Sequence, residues 1–236
     1  MSNKDGNNHI SDVNSSKKEK VYRQLKLEII SHRLKAGQPI TEEEIVKKYS
    51  ISRTPVREIF RRLENEGLVK NIAYKGTYVA DLLKEDIEEI LDIRYALEGL
   101  AAKFAANNVT DKEIEEFVKI EHLLLKAMQD EDSVLSFEAD TKLHELILTI
   151  AGNHRIHTII NNLLAQIHRI RFISGHMPGR INTTVQEHLN IIAAIKERDS
   201  DKAEAMMHTH IENTRKLFSQ SSEMDEKFKL KLSFLL

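Results

Sequence analysis

Four side chains in the C-terminal half are of the kind that hold a metal. Asp140 and His144 are four apart, so on a helix they point the same way. They interrupt an apolar stripe made by Phe137, Ile147 and Ala151. His188 falls in line with Val185, Ile192 and Ile195, and His210 with Met206, Met207, Thr214 and Leu217. Burying such groups singly is costly. If the three helices converge, one carboxylate and three neutral imidazoles can share a divalent cation, and zinc or nickel suits that donor set. The competing reading makes each histidine a separately hydrogen-bonded core residue. With 11 histidines in the chain, coincidence competes with design. His208 is two residues from His210 and is expected at the surface, as His154, His157, His168 and His176 are expected in turns or at the surface.

A second kind of chemistry lies nearer the N-terminus. From Ser52 to Gly67 the pattern predicts a short helix with an apolar back of Val56, Ile59, Phe60 and Leu63. Ser52 is placed to cap it, Pro55 sits in its first turn, and Gly67 ends it. Thr54, Arg57 and Arg61 fall on the opposite face, with Arg53 at the flank. A helix that displays arginines near its N-terminus fits a DNA major groove. Ser52, Arg53, Thr54, Arg57 and Arg62 are the candidate contacts on it. The bland alternative is a small helical domain with a solvated basic face.

These side chains need elements to position them. Thr41-Glu42-Glu43-Glu44 has the form of a capping box, so a helix is expected from Thr41 to about Tyr49, joined to the arginine helix across Ser50-Ile51. Leu68–Ala73 and Thr77–Ala80 read as two strands around Lys75-Gly76, a wing with those two residues at its tip. Ser16 and Glu19 suggest the start of a first helix running to about His32, and Gly37-Gln38-Pro39 a turn. Beyond Lys84 the strand signals stop. Helices are expected near 84–106, 110–130, 133–151, 154–174, 184–198 and 200–219. Thr110/Glu113 and Thr184/Glu187 would cap two of them. The expected fold is mostly α: a winged helix-turn-helix followed by an all-α antiparallel bundle. The expected organisation is a flexible tail over 1–16, a DNA-binding domain over 17–82, a helical effector and metal domain over 83–219, and a tail over 220–236. That last tail alternates apolar and basic residues from Lys227 and could pack on a dimer partner or fray.

Composition narrows the classes. The chain has 236 residues, no cysteine and a net charge of −2. Disulfides and thiolate metal sites are therefore excluded. No run approaches membrane-spanning length and no signal-peptide pattern opens the chain, so a cytoplasmic protein is expected. Residues 17–80 carry fifteen Lys and Arg against eight Asp and Glu, and the remainder is net acidic. A basic reader on an acidic body suits DNA binding.

The run Ser52-Arg53-Thr54-Pro55-Val56-Arg57-Glu58, with Glu66-Gly67-Leu68 at the helix end, resembles the GntR family of bacterial transcription regulators. The resemblance implies that Arg53 and Arg57 reach guanines and that Thr54 helps fix phosphates. It also implies that Gly76 enters the minor groove beside Lys75. Many relatives carry arginine where this chain has Glu43, which removes one expected contact. Residues 84–219 resemble the FCD domain of the FadR branch, in its six-helix, VanR-like variety. The matching pieces are Asp140 with His144, Glu187-His188-Leu189, and Ala205-Met206-Met207 with His210. The resemblance implies a divalent metal held by Asp140, His144, His188 and His210. It also implies a small carboxylic acid effector, for which Arg94 and Arg171 are candidate partners; each could equally form a surface salt bridge. The expected protein is a homodimeric regulator on a palindromic DNA operator, with no catalytic residue. The alternative is a metal-dependent hydrolytic enzyme with an accessory DNA-binding domain, against which no separate general base stands out.

Overall fold

The computed structural model describes residues 6–221. The chain divides after Leu82 into two compact units. In the first, α1 (Gly6–Ile30) precedes β1 (Pro39–Ile40), α2 (Glu42–Tyr49), α3 (Arg53–Asn65), β2 (Val69–Ile72) and β3 (Gly76–Val79). Because α1 already begins at Gly6, Ser16 lies inside it rather than at its start, and the helix overlaps the expected tail. The stretch expected as a plain turn at Pro39 contributes a strand. β1 pairs with β3 through Ile40↔Thr77, and β3 pairs with β2 through Asn71↔Thr77, giving the antiparallel order β1-β3-β2.

The core of this unit is set by α3. Val56, Ile59, Phe60 and Leu63 are all buried, and Val21, Leu25, Ile29, Ile45 and Val79 are buried with them. Thr41 caps α2 as expected: its hydroxyl accepts from the Glu44 N–H at 3.2 Å, and Glu44 accepts from the Thr41 N–H at 3.0 Å. Ser50 then takes a left-handed conformation (φ 49°), which turns the chain into α3. Ser52 occupies the N-cap place of α3, but its side chain makes no capping bond.

The second unit holds six helices among the described residues: α4 (Lys84–Asn108), α5 (Asp111–Gln129), α6 (Ser133–Ala151), α7 (His154–Gly175), α8 (Arg180–Lys196) and α9 (Ser200–Ser221). None is long and apolar enough to cross a membrane. The six agree with the periodicity, with one informative exception. α8 begins at Arg180, after a left-handed Gly179 (φ 75°), and not at Thr184. Thr184 and Glu187 are therefore interior helix residues, free to serve another purpose. At the other predicted cap, Glu113 does accept from the Thr110 N–H at 2.8 Å. Residues 222–236, including the alternating tail from Lys227, lie outside the described residues.

α4 packs closely on α9. The rings of Tyr95 and His208 stack at 3.9 Å between centroids and 7° between planes. His208 is therefore half-buried rather than a surface residue. Gly99 makes room for it: a Cβ there would lie 2.2 Å from His208 Nε2. Gly99→Ala should destabilise the protein by about 1–3 kcal/mol, because the imidazole must leave its stack. In a His208→Ala background the same change should instead stabilise by up to about 1 kcal/mol, the helix propensity of alanine over glycine. Urea unfolding of the four proteins checks the reversal of sign, and its absence would refute the contact.

Candidate functional site

Asp140 and His144 on α6, His188 on α8 and His210 on α9 converge. Each offers one ligand atom, and these four atoms lie within 4.8 Å of one another. All four residues are buried, and His188 has no exposed surface. Ring centroids are 4.6 Å apart for His188 and His210 and 5.3 Å for His144 and His210. His188 Nε2 is 3.6 Å from Asp140 Oδ2. The stripes that the four residues interrupt explain the convergence. Ile147 and Leu143 on α6, Val185 and Ile192 on α8, and Met207 and Ile211 on α9 are buried. Burying those faces against one another brings the polar interruptions to a shared centre.

Carboxylates outside this set hold two of the rings. His144 Nδ1 lies 2.5 Å from Glu98 Oε2, and His210 Nδ1 lies 2.8 Å from Glu187 Oε2. The Glu187 contact is a hydrogen bond that fixes the His210 ring and leaves its Nε2 available to a cation, as carboxylate–histidine pairs do at metal sites. The Glu98 contact with His144 is a close ion-pair approach outside hydrogen-bond geometry. Both ring nitrogens of His144 and both of His188 have no hydrogen-bond partner among the described residues. Fully buried polar atoms without partners are costly. The donor set and its unsatisfied nitrogens thus fit a divalent cation.

The electrostatics keep these groups ready. Burial alone would raise the Glu98 carboxyl, but Arg94, His144 and Arg171 outweigh it and hold Glu98 well below the usual range. Burial is likewise outweighed at Asp140, chiefly by Arg171 and then by the three imidazoles. Burial, with Arg171 next, pushes the His144 imidazole down to about 4. Burial and His210 push His188 well down. Metal binding needs neutral imidazoles and ionised carboxylates.

Arg94 and Arg171, nominated as effector partners, are both buried. Arg94 Nε donates to Glu98 Oε1 at 2.8 Å, and Arg171 Nε is 3.1 Å from Asp140 Oδ1. Neither forms a surface salt bridge. Sequence reasoning missed three residues of this network. Glu98 stood four places after Arg94, a helical ion-pair spacing. Glu187 follows Thr184 at the spacing of a helix cap. Arg180, the first residue of α8, donates to Glu187 through two nitrogens, each at 2.9 Å, and to Thr214 Oγ1 at 3.3 Å. His176, expected in a turn or at the surface, is tied by its ring nitrogens to Ser133 Oγ and the Phe172 carbonyl.

On the first unit, Ser52, Arg53, Thr54 and Arg57 are exposed together at the start of α3, and Lys75 and Gly76 are exposed at the wing tip. Tyr74 beside them is fully exposed and has a left-handed backbone (φ 63°). Arg57 Nε pairs with Glu42 Oε1 at 2.7 Å while its side chain stays two-thirds exposed. Arg62 is placed differently. Its guanidinium lies over the Tyr22 ring at 3.5 Å and pairs with Glu19 at 2.9 Å, so it is engaged with α1.

Comparisons with known proteins agree on the family. The FCD domain model matches residues 89–213, and the model for bacterial regulatory proteins of the gntR family matches 17–79. The chain is 28% identical over 212 residues to the HTH-type transcriptional repressor RspR of Escherichia coli (strain K12), covering 87% of this chain and 92% of that protein. It is 31% identical over 186 residues to the probable D-xylose utilization operon transcriptional repressor of Paenarthrobacter nicotinovorans, covering 78% and 81%. Among solved structures, E. coli McbR/YncC matches with a TM-score of 0.75 at 19% identity, over 87% of this chain and 98% of that one, a likeness of fold.

The buried network carries a prediction of its own. Glu98→Gln would leave Arg94 and Arg171 short of a counter-charge, and should cost about 3–5 kcal/mol at neutral pH, read as a lower urea midpoint. Because Glu98 and Asp140 are held low in the folded state, their contribution is complete above about pH 5 and is lost as the pH falls further. The wild-type protein should therefore lose stability steeply in acid, and Glu98→Gln should show a shallower slope. Parallel curves would mean that Glu98 is not the group being titrated.

Proposed function

The chain belongs to the GntR family of bacterial regulatory proteins and carries an FCD domain, and we propose that it is a cytoplasmic, homodimeric transcriptional repressor whose operator affinity is set by a small organic acid bound beside a divalent metal. One observation carries this reading: four potential ligands from three helices meet in a buried centre next to a narrow, arginine-lined cavity. Repression is proposed because the two relatives described above are repressors by name.

In this reading α3 lies in the major groove. Arg53 and Arg57 reach base edges, Ser52 and Thr54 contact phosphate, and Lys75 and Gly76 meet the neighbouring minor groove. Glu42, paired with Arg57, keeps that guanidinium extended in front of the helix. Arg62, held against Tyr22, braces α3 on α1 and sits apart from the base contacts. A two-fold dimer would recognise a palindromic operator.

Asp140, His144, His188 and His210 would hold the metal. With three nitrogens and one carboxylate oxygen, zinc or nickel fits best. When bound, the cation supplies a Lewis-acidic anchor for one oxygen of the acid. Arg94 and Arg171 bind and orient the rest of it through charge-assisted hydrogen bonds. Glu187 keeps His210 in the required tautomer, and Glu98 places a negative charge beside His144 Nδ1. An acid that competes for Arg94 changes the partners of α4, which follows directly on the reader in the chain. This couples the sites only if the acid binds one arrangement more tightly than the other.

Arg57→Ala should lower affinity for the operator about ten- to hundredfold toward that for random duplex, with the urea midpoint unchanged. Fluorescence anisotropy on both duplexes at two salt concentrations reads this, and full retained specificity would overturn the assignment of α3. His188→Ala should purify without stoichiometric zinc or nickel while remaining helical by circular dichroism. Elemental analysis equal to wild type would remove His188 from the metal set.

A further inference from the structure

The cavity beside the cluster has a volume of ≈ 20 Å³, room for about one water. Its lining includes Arg94, Arg171 and Arg180, from α4, α7 and α8. Three buried guanidiniums around so small a space call for a charge account. Arg94 is paired with Glu98, Arg171 with Asp140 and Glu98, and Arg180 with Glu187. Three fixed positive charges thus meet three carboxylates. With neutral imidazoles the network is balanced without any further ion. Arg169 is buried on α7 too, but it does not line the cavity.

A divalent cation on Asp140, His144, His188 and His210 upsets that balance by two positive charges. A net charge of that size in a buried site is expensive unless it is met by a counter-charge. We propose that the ligand of this cavity is a small dianion, with two ionised oxygen groups, and that a monoanion leaves the loaded site under-neutralised. The proposal rests on the metal reading above. Arg180 gives the second anionic group somewhere to go. It opens α8, its Nε has no hydrogen-bond partner among the described residues, and the amino-terminal turn it belongs to favours anions. Thr184, which the sequence pattern suggested as a cap, lines the same cavity and offers a hydroxyl. A dicarboxylate and a phosphate dianion share this chemistry. Since the cavity holds only a water's volume, either must enter by moving side chains, and Arg94, Arg171 and Arg180 are the groups with a reason to exchange their carboxylate partners for the ligand.

The test is calorimetric titration of full-length protein, zinc-loaded and zinc-stripped, with zinc content measured in both. The probes are oxalate, malonate, succinate and glutarate, the monoamide of each, and inorganic phosphate. In the loaded protein at least one dianion should bind about ten- to hundredfold more tightly than its monoamide or, for phosphate, than acetate. Stripping the zinc should weaken that dianion by at least a similar factor. A dicarboxylate or phosphate as the tightest probe identifies which source supplies the charge. Arg180→Gln should narrow the gap between diacid and monoamide; if that variant misfolds, the wild-type comparison stands without it. Monoamides that bind as well as their diacids, dianions that bind the stripped protein equally well, or no binding by any probe would each overturn the proposal. Operator binding is measured separately, so a protein that binds dianions but no DNA sinks the regulatory reading alone. A protein that takes up no zinc or nickel sinks the metal reading and this inference together.

Discussion

The second unit depends on mutual satisfaction of buried charge. Glu98 on α4 touches Arg94 on its own helix, His144 on α6 and Arg171 on α7. Arg171 reaches Asp140, Asp140 faces His188 on α8, and His210 on α9 leads through Glu187 to Arg180. Five of the six described helices thus share one network, and α5 alone contributes nothing to it. No member can be removed without leaving another short of a partner in a medium where that is costly. A well-packed apolar core of the same volume would be at least as stable. Stability is therefore a poor explanation for the network. The proposed binding of a cation and an anion is a better one, because such a site has to hold charged groups ready in advance.

The same constraint limits how the unit can respond. Apolar contacts are non-directional and tolerate small slides, whereas a guanidinium with two carboxylate partners has discrete arrangements. A ligand that takes over one partner forces a choice between them. α8 is suited to move in such an exchange. It starts immediately after left-handed Gly179, its first residue is Arg180, and about two turns further on it carries Glu187 and His188, which face the Asp/His cluster. α4 carries Arg94 and Glu98 and is tied to α9 by the Tyr95–His208 stack and by the Arg215 contacts to Glu88 and Asp92. A change at the centre therefore has to be borne by α4 and α9 together.

Much of this was legible in the sequence, and what was missed had a physical cause. The helix periods gave the bundle because apolar faces must be buried. Polar interruptions of those faces pointed to Asp140, His144, His188 and His210, since a buried polar residue needs a partner. The partners of those residues were hidden. Glu187 follows Thr184 at the spacing of a capping box, and that local pattern was read in preference to a tertiary contact with His210. The start of α8 at Arg180 depends on Gly179 adopting positive φ, for which Pro178 and Gly175 offered equally good breaks. His208 looked like surface by its phase, but phase does not reveal that a glycine on another helix leaves a slot for it. In the first unit, Arg62 shares a helix with Arg57 yet is claimed by Tyr22 and Glu19, residues more than thirty positions away.

The two units handle charge in opposite ways. At the centre of the second, the ionic groups around Glu98 and Asp140 are buried and paired, so their interactions are strong and their number is fixed. In the first, Arg53, Arg57 and Lys75 stand in solvent, where pairing is weak and screened by salt. That weakness suits a reader. In the proposed role, the Arg57–Glu42 contact can orient a side chain at little cost and be surrendered to a base edge at little cost. A buried equivalent, such as Arg94–Glu98, would hold its arginine too firmly to release it to DNA. Solvent exposure sets how easily each pair is broken, and it therefore separates the readily released arginines of the first unit from the firmly held ones at the centre of the second.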